Sequence, residues 1–317
     1  MTVARAIGLL VGVAADVFLG DPKRRHPVAG FGAASSRLEA VTYRDGKLQG
    51  AVHAALLTGG TVLLGVAAER AGHGRPLLRT ATTAAATWVV LGGSSLAEEG
   101  AAIGAELDAG DLGAARERLP HLCGRDPATL DATGLARATV ESVAENTSDA
   151  VVAPLFWGAV AGVPGLLGYR AVNTLDAMIG HRSPRYRRFG WAAARADDLA
   201  NLVPARITAG LTVGSAPVVG GSAREAWHAW RRDAAAHPSP NAGRVEAAFA
   251  GALETRLGGR TVYAHGVEER PVLGTGRSPD AGHVTRAVEL SRLVGGLAGV
   301  LSAVLALIFG RRRRTRP

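Results

Sequence analysis

The sequence predicts an all-α, polytopic integral membrane protein whose spans are separated by polar helical loops, and three observations carry that prediction. Hydrophobic residues make up 47% of the 317 residues, whereas charged residues make up 20%, and the mean hydropathy is positive, at +0.13. Five stretches of 16 to 21 residues contain no Asp, Glu, Lys or Arg, which is close to the ~20 apolar residues that cross a ~30 Å hydrocarbon core. The last of these stretches runs directly into a cluster of arginines.

The uncharged stretches and the apolar N-terminus define six expected spans within a single membrane domain that covers residues 1–317. These spans lie near residues 5–20, 48–68, 80–97, 150–170, 203–222 and 293–310. Polar insertions separate them at residues 98–149, 171–202 and 223–292. Gly162 and Pro164 interrupt the fourth stretch, so the sequence leaves open whether it crosses the bilayer fully, is broken or is re-entrant.

A basic cluster at residues 311–314 follows the last apolar stretch. Because basic residues beside a span tend to stay on the cytoplasmic side, the sequence predicts a multi-pass protein of the cell membrane (the inner or plasma membrane) with a cytoplasmic C-terminus. The cluster has no interleaved aromatic residues, so we expect no nucleic-acid partner. Cys123 is the sole cysteine, which excludes an intrachain disulfide.

An acidic stripe precedes the fourth apolar stretch. Arg137, Glu141, Glu145 and Asp149 recur at every fourth position, so an α-helix would place them on one face beside Asn146. One interpretation is a solvated helix face with an ion pair between Arg137 and Glu141. The other is a site for a hard cation with oxygen ligands, because stacked carboxylates at a membrane boundary repel one another.

Two further polar clusters adjoin apolar segments, where ionisable groups are costly and usually face a cavity or a partner. They comprise Arg170, Asn173 and Asp176 in the first cluster, and Asp197, Asp198, Asn201 and Arg206 in the second. The alternative is a set of ion pairs beside the membrane. In that case Asp176 would pair with Arg170 or Arg182, and Asp197 would pair with Arg195.

Several common catalytic motifs are absent from the sequence. Gly46-Lys47 is followed by Leu48 rather than Ser or Thr, and the chain contains no phosphate-binding P-loop. The dinucleotide-binding glycine motif, the zinc-protease motif and the nucleophile-elbow motif are also missing. The histidines show no paired metal-ligand spacing, so the sequence does not predict a zinc site.

Three stretches carry a family resemblance, at residues 141–149, 169–180 and 195–206. Supporting matches lie at residues 19–22, 26–28, 124–126 and 237–243, and at Glu246. Together they occur in order over about residues 10–300. This pattern resembles the adenosylcobinamide-phosphate synthase family, the cobalamin biosynthesis membrane proteins of the CobD/CbiB type.

The resemblance implies an enzyme of cobalamin (vitamin B12) biosynthesis that acts as an ATP-dependent acid–amine ligase. Such an enzyme joins the ring D propionate carboxylate of adenosylcobyric acid to aminopropanol or aminopropanol phosphate. The product is adenosylcobinamide or its phosphate. The implied cofactor is Mg²⁺ with ATP as co-substrate, and the implied partners are the corrinoid, the amine, the lipid bilayer and other late cobalamin-assembly enzymes.

The matched stretches of the resemblance, together with charge and ligand chemistry, assign candidate residues to this reaction. The candidate catalytic residues are Glu141, Glu145, Asp149 and Asp176. The candidate ligands of Mg²⁺, a cation that prefers carboxylate oxygens, are Glu141, Glu145, Asp149 and Asp197. The candidates for binding substrate and phosphate groups are Arg125, Asp126, Arg137, Asn146, Arg170, Asn173, Asp198, Asn201, Arg206, His237 and Asn241.

Two functions from other classes stay open beside the synthase. Asn173 with Asp176 and the pair Asp197-Asp198 are similar to the Mg²⁺-binding motifs of membrane alcohol or prenyl phosphotransferases, although the further Asp repeats of those enzymes are absent. A transporter or non-catalytic scaffold would use Asp176 or Asp197 as an intramembrane ion site, although no paired halves are visible. ATP-dependent consumption of adenosylcobyric acid separates these functions.

Overall fold

The computed structural model describes residues 2–21, 26–181, 183–263 and 266–312. Three features named above lie partly or wholly outside these residues. They are the end of the match at residues 19–22, Arg182, and the basic cluster from residue 313 onward.

Helices make up most of the described chain. In chain order they are α1 (Thr2–Leu19), α2 (Pro27–Thr42), α3 (Lys47–Ala71), α4 (Pro76–Val90), α5 (Gly93–Asp108), α6 (Leu112–Arg118), α7 (Ala132–Thr147), α8 (Ala153–Ala161), α9 (Val163–Leu175), α10 (Tyr186–Phe189), α11 (Trp191–Ala200), α12 (Leu202–Ser215), α13 (Ala223–Asp233), α14 (Ala242–Ala252) and α15 (Ala281–Arg312). Strands β1 (Leu257–Tyr263) and β2 (Gly266–Leu273) form an antiparallel hairpin. Short 3-10 turns occupy Leu119–His121, Ala216–Val219 and Ala234–Ala236.

Two π-helical segments directly continue α7 and α9, at Ser148–Val152 and Asp176–Gly180. A π-turn closes hydrogen bonds over five residues instead of four, so it shifts the residues that follow out of the α-helical repeat. Asp149 is the second residue of the first segment, so the departure from the α-helical repeat begins at the C-terminal end of the predicted acidic stripe.

Four segments of the described chain are long and apolar enough to cross a membrane. They are Thr2–Leu19, Lys47–Ala71, Leu202–Val219 and Ala281–Phe309. Exposed apolar side chains such as Phe18, Leu64 and Val300 lie on these segments, as expected where lipid replaces water. The prediction of an all-α, polytopic membrane protein is confirmed.

The other two expected spans have a different form. Helix α4 has 15 residues and ends at Val90. Leu91 and Gly92 are not helical and α5 begins at Gly93, so no single helix covers residues 80–97. Residues 150–170 are divided between α8 and α9. The number of segments that cross the bilayer, and the organisation as one membrane domain with three insertions, stay predictions.

The chain forms two compact units. The first unit comprises Met1–Gly92, Ala153–Asn201 and Ala298–Pro317, and the second comprises Gly93–Val152 and Leu202–Leu297. Each unit contains apolar segments of spanning length, with α1 and α3 in the first and α12 in the second.

Helices α8 and α9 of the first unit meet at a break that Gly162 permits. Gly162 has a φ of +71°, in the left-handed region that favours glycine. The carboxylate of Glu69 fills the space beside it, because Glu69 Oε1 accepts hydrogen bonds from Val163 N at 3.3 Å and from Arg5 Nη2 at 3.1 Å. Arg79 Nη2 lies 3.6 Å from the same oxygen. This ionic group satisfies the freed N-terminus of α9.

Helix α14 lies inside the second unit, where it packs against α7, α12 and α13. Every one of its residues except Arg244 is buried. Small side chains permit this close packing, since a Cβ atom at Gly251 would lie 2.2 Å from the carbonyl oxygen of Glu225 on α13. Glu246 is therefore an acidic residue in the interior of a helix-packed core.

Candidate functional site

The candidate site of the second unit begins with a buried ion pair. Glu141 on α7 is 2% exposed, and its carboxylate accepts hydrogen bonds from the Arg125 guanidinium and from Gly258 N, the latter at 2.6 Å. Arg125 is buried as well. A buried carboxylate is tolerated when it is paired and hydrogen-bonded in this way. Glu141 therefore holds a loop residue and the start of β1 beside α7.

Arg137 does not pair with Glu141 in the described chain. Its Nη1 donates to the carbonyl oxygen of Gly258 at 2.7 Å, and its Nη2 donates to that of Arg260 at 2.8 Å. These two bonds hold the start of strand β1, where Gly258 has a φ of +83°. In place of the ion pair expected for a solvated helix face, Arg137 forms two hydrogen bonds that connect α7 to the hairpin.

Glu145 lies one helical turn beyond Glu141. Its side chain is exposed to solvent, yet desolvation by the surrounding protein raises its pKa above the ordinary value. The positive charges of Arg270 and Arg125 oppose this rise, and the negative charge of Glu141 adds to it. Both observations fit a carboxyl group in a recess that water reaches but protein encloses.

Glu246 is the most enclosed acid of this group, with 1% of its surface exposed. Desolvation raises its pKa well above the ordinary value, and the negative charges of Glu141 and Glu145 raise it further. Arg270 and Arg125 lie close enough to oppose the rise. We call this group the carboxylate recess, and it consists of Glu141, Glu145, Glu246, Arg125 and Arg270.

His237 borders the recess at the loop that precedes α14. Its Nε2 lies 3.8 Å from Oε1 of Glu246, and its Nδ1 accepts a hydrogen bond from Ser239 N at 3.1 Å. A neutral ring with Nδ1 as acceptor carries its proton on Nε2, on the side of Glu246. Asn241, which is buried, ends the same loop, and its backbone N donates to Ser239 Oγ at 3.3 Å.

The remaining candidates of the second unit make local contacts. Asn146 donates to the carbonyl oxygen of Ser142 on its own helix at 2.9 Å. Asp126 accepts from Ala128 N at 3.0 Å in a tight turn. Arg206 donates to the carbonyl oxygen of Leu202 at 2.5 Å along α12. Asp149 is half-buried in the π-helical segment after α7.

The first unit contains a separate polar cluster. Asp197 on α11 accepts from Asn173 Nδ2 at 3.3 Å and from Asn201 Nδ2 at 3.0 Å. The Tyr169 hydroxyl donates to Asn201 Oδ1 at 2.9 Å. We call this group the amide cluster, defined by Tyr169, Asn173, Asp197 and Asn201. The structure thus joins three of the residues that the sequence placed in two clusters.

The other candidates of the first unit lie around the amide cluster in the chain. Asp198 accepts from Arg195 Nη1 at 3.2 Å. Arg195, which the sequence suggested as a partner for Asp197, therefore pairs with the neighbouring aspartate. Arg170 lies on α9 and Asp176 begins the π-helical segment after it, both half-buried. A Cβ atom at Gly180 would collide with the Asp176 carboxylate, so this glycine leaves room for that side chain.

The fit of these residues to Mg²⁺ follows from the contacts above. Among the residues described, no group of three or more His, Cys, Asp or Glu side chains is arranged to hold a metal ion. Glu141 is already engaged by Arg125 and Gly258 N. The carboxylates as placed do not form a metal site from protein ligands alone, and the Mg²⁺ ligands named from the sequence stay a prediction.

Two members of the recess were not among the candidates that the sequence supplied. Glu246 is a family match to which the sequence assigns no role, although an acid in a helix whose other residues except Arg244 are apolar is itself a signal. Arg270 lies on β2, within a polar stretch rich in charged residues. Its charge influences Glu145 and Glu246 through tertiary structure, so no local pattern marks it.

The chain is similar to known proteins over nearly its whole length. The family model described as CobD/Cbib protein matches residues 9–291. The cobalamin biosynthesis protein CobD of Mycobacterium tuberculosis is 60% identical over 309 residues, which cover 97% of both chains. Proteins of the same name from Rhodobacter capsulatus and Chromobacterium violaceum are 43% and 42% identical, covering 93% and 96% of this chain and 98% of each relative. No solved structure matches the chain.

Proposed function

The chain belongs to the CobD/Cbib protein family, and from that membership and the carboxylate recess we propose the reaction that it performs in cobalamin biosynthesis. The enzyme joins the ring D propionate carboxylate of adenosylcobyric acid to the amine of aminopropanol phosphate and consumes ATP. The product is adenosylcobinamide phosphate. The lipid bilayer surrounds the enzyme, and the basic C-terminal cluster supports a cytoplasmic C-terminus in the cell membrane.

One observation carries this proposal beyond family membership. Glu145 is accessible from solvent in a recess that also holds the guanidinium groups of Arg125 and Arg270 and the buried carboxyl group of Glu246. Amide ligation brings an anionic carboxylate, anionic phosphates and a cationic amine to one place. A recess with both signs of charge suits that combination.

The chemistry proceeds in two steps because a carboxylate does not react with an amine directly. The propionate oxygen first attacks the γ-phosphorus of ATP, ADP leaves, and an acyl phosphate forms. The amine nitrogen then attacks the acyl carbon, the bond from that carbon to the phosphate oxygen breaks, and inorganic phosphate leaves. The ammonium group loses one proton before the attack and the new amide nitrogen loses a second one.

The residues of the recess divide these tasks. Arginine side chains hold phosphate and carboxylate oxygens in bidentate contacts, and the positive charge of Arg270 acts on Glu145. Glu145, as the accessible carboxylate, accepts a proton from the amine. Glu141 is a positioning residue, because both Arg125 and Gly258 are held by its carboxylate. The catalytic roles expected for Asp149 and Asp176 stay predictions.

Mg²⁺ enters the proposal with ATP. It usually keeps several waters and is bound by one or two carboxylates together with substrate phosphates, so a complete cage of protein ligands is not required. We propose no ligand set for it from the described side chains.

Purified full-length protein in nanodiscs tests the proposal. Adenosylcobyric acid, aminopropanol phosphate and MgATP are supplied together, and then with one component omitted, while mass spectrometry follows the corrinoid and ADP. We expect adenosylcobinamide phosphate and ADP in equal amounts from the complete mixture alone. Binding of the corrinoid without turnover would favour a scaffold or transporter, and transfer of a phosphate-containing group to an alcohol would favour a phosphotransferase; either result would refute the synthase.

A further inference from the structure

The carboxyl group of Glu246 has no hydrogen-bond partner among the residues that the structure describes. Both of its oxygens are buried, and no donor from the described residues bonds to either of them. His237 Nε2 lies 3.8 Å from Oε1, which is beyond hydrogen-bond distance. A buried carboxyl group without a donor destabilises a fold, because the hydrogen bonds that it makes to water in the unfolded state are not replaced.

The charges around Glu246 indicate which kind of chemical group could bind to it. The recess contains three carboxylates and two guanidinium groups, and Arg125 is engaged by Glu141. If all three carboxylates are ionised and the His237 ring is neutral, the net charge of the recess is −1. One more positive charge would neutralise the recess and would oppose the rise of the Glu246 pKa. That charge must also donate hydrogen bonds, since Glu246 has acceptors to fill.

A primary ammonium group meets both requirements. It carries one positive charge and three N–H donors within a radius close to that of a methyl group. Glu246 would accept at the closed end of the recess, and Glu145 at the end that solvent reaches.

We propose that Glu246, together with Glu145, binds the ammonium group of the amine substrate. The identity of that amine as aminopropanol phosphate rests on the proposed function. The ammonium site itself rests on the two unfilled acceptors of Glu246, its burial and the charges of its neighbours. In this arrangement the amine enters past Glu145, and Glu246 fixes its nitrogen.

The test compares two ligands that differ in one group. Aminopropanol phosphate carries an ammonium group where sec-butyl phosphate carries a methyl group of similar size. Calorimetric titration of each into purified full-length protein, with adenosylcobyric acid present and ATP absent, gives the ratio of their affinities without turnover. Charge-assisted hydrogen bonds of this kind discriminate by roughly 10- to 100-fold, so we expect the wild-type protein to prefer the amine by at least that lower factor.

The Glu246→Gln variant then decides the assignment. We expect it to lose most of the preference for the amine, to within about threefold, while sec-butyl phosphate binds as before. Glu145→Gln is expected to lose part of the preference. The matched control is Glu225→Gln, since Glu225 belongs to the same unit and its side chain is 46% exposed; it is expected to keep the full preference.

Several outcomes would overturn the ammonium site. They are an undiminished preference in Glu246→Gln, an equal loss of affinity for both ligands, no preference in the wild-type protein, or a preference that disappears when EDTA removes divalent cations. Turnover measured separately distinguishes the two proposals. Amine-selective binding that depends on Glu246 without any ligation would refute the synthase and keep the site, whereas ligation with an undiminished preference in Glu246→Gln would keep the synthase and refute the site.

Discussion

Glu246 is the residue at which stability and function are most clearly opposed. Its surroundings raise its pKa because the charged form is desolvated and lies near two other carboxylates. A residue that only supported the fold would have acquired hydrogen-bond donors or an apolar replacement. Groups with strongly perturbed ionisation cluster at functional sites, so the cost to the fold points to a role in binding.

The first prediction follows from the direction of that shift. An acid whose pKa is higher in the folded than in the unfolded state contributes stability below its unfolded pKa, about 4.3, and loses it as pH rises through the folded value. At pH 8 the raised pKa of Glu246 therefore lowers the stability of the protein, and Glu246→Gln is expected to raise its melting temperature. Differential scanning fluorimetry at pH 8 and pH 5 should show the advantage shrinking at the lower pH.

Glu225→Gln is the control for this measurement, because its exposed side chain lies outside the recess. It should change the melting temperature little at either pH. A lower melting temperature for Glu246→Gln at pH 8 would show instead that the carboxylate stabilises the fold.

Local spacing could identify some of the site residues and could not identify their partners. Glu141 and Glu145 stand out in the sequence because they recur on one helical face at a membrane boundary. The partner of Glu141 is Arg125, which lies 16 positions earlier, rather than Arg137 at the favourable i−4 position. That choice depends on the loop before α7 and on the hairpin, and neither is visible in the helical repeat.

At the scale of elements, the interruption between α8 and α9 can be predicted from the sequence, and a tertiary contact stabilises it. Gly162 and Pro164 mark an interruption in an apolar stretch, as the sequence indicated. The Glu69 carboxylate from α3 occupies the position beside Gly162 and accepts from Val163 N. A helix terminus within an apolar unit needs such a partner, because its free N–H groups have little access to water.

The second prediction is that Gly162→Ala destabilises the protein by about 1–3 kcal/mol. Alanine disfavours the φ of +71° at this position, and its Cβ atom would lie 2.0 Å from Glu69 Oε1. Thermal unfolding in detergent measures the change. Gly30→Ala in α2 is the control, because no atom lies within 4 Å of the added methyl group; an equal effect of both substitutions would contradict the explanation.

The third prediction concerns Asp233, at the end of α13. Its Oδ2 accepts from Gly274 N at 2.8 Å, just after β2, and Arg232 Nε donates to its Oδ1 at 2.6 Å. Desolvation raises the pKa of Asp233, but the hydrogen bonds from Arg232 and Gly274 outweigh it, so the net pKa is lowered. A lowered acid pKa gives stability that is present above the unfolded value, about 3.9, and lost as pH falls through the folded value.

Asp233→Asn is therefore expected to reduce stability at pH 7 by about 1–2 kcal/mol, and the difference should narrow below about pH 4. Chemical unfolding at pH 7 and pH 3.5 measures both values. Asp108→Asn, at an exposed position of the same unit, should change neither. A difference for Asp233→Asn that stays constant over this range would show that its charge is not responsible.

The sequence pattern identified helices better than it identified departures from them. The π-helical segments at Ser148–Val152 and Asp176–Gly180 use residues that would also suit an α-helix, and the extra residue in each turn is fixed by packing. The hairpin was expected to be part of a polar insertion. The hydrogen bonds from Arg137 to the carbonyl oxygens of Gly258 and Arg260 help to position the hairpin. They join residues more than 100 positions apart.

At the scale of the whole molecule, hydropathy predicted the fold class because a bilayer leaves few choices. Backbone groups in lipid must bond within their own segment, so apolar stretches of sufficient length become helices. Four such segments occur in the described chain. Hydropathy alone did not distinguish residues 80–97 from them, although α4 ends at Val90 and buries Thr83 and Thr87 where it packs against α1. Packing of this kind is a tertiary property.

The fourth prediction addresses orientation in the membrane. Residues 182–188 contain four arginines, and the positive-inside tendency places such a loop in the cytoplasm. A protein with Cys123→Ser and Ser183→Cys should resist a membrane-impermeant maleimide in intact cells and react after permeabilisation. Labelling in intact cells would contradict this orientation of the loop.

The central claim is that the carboxylate recess performs amide ligation, and the turnover of Glu145→Gln tests it most directly. Removal of a carboxylate that accepts a proton during the reaction lowers the rate by roughly 10²- to 10⁴-fold. We predict that kcat for adenosylcobinamide phosphate falls at least 100-fold in Glu145→Gln and stays within about twofold in Glu225→Gln, with both variants as thermally stable as the wild type. Synthesis by folded Glu145→Gln at the wild-type rate would contradict the account.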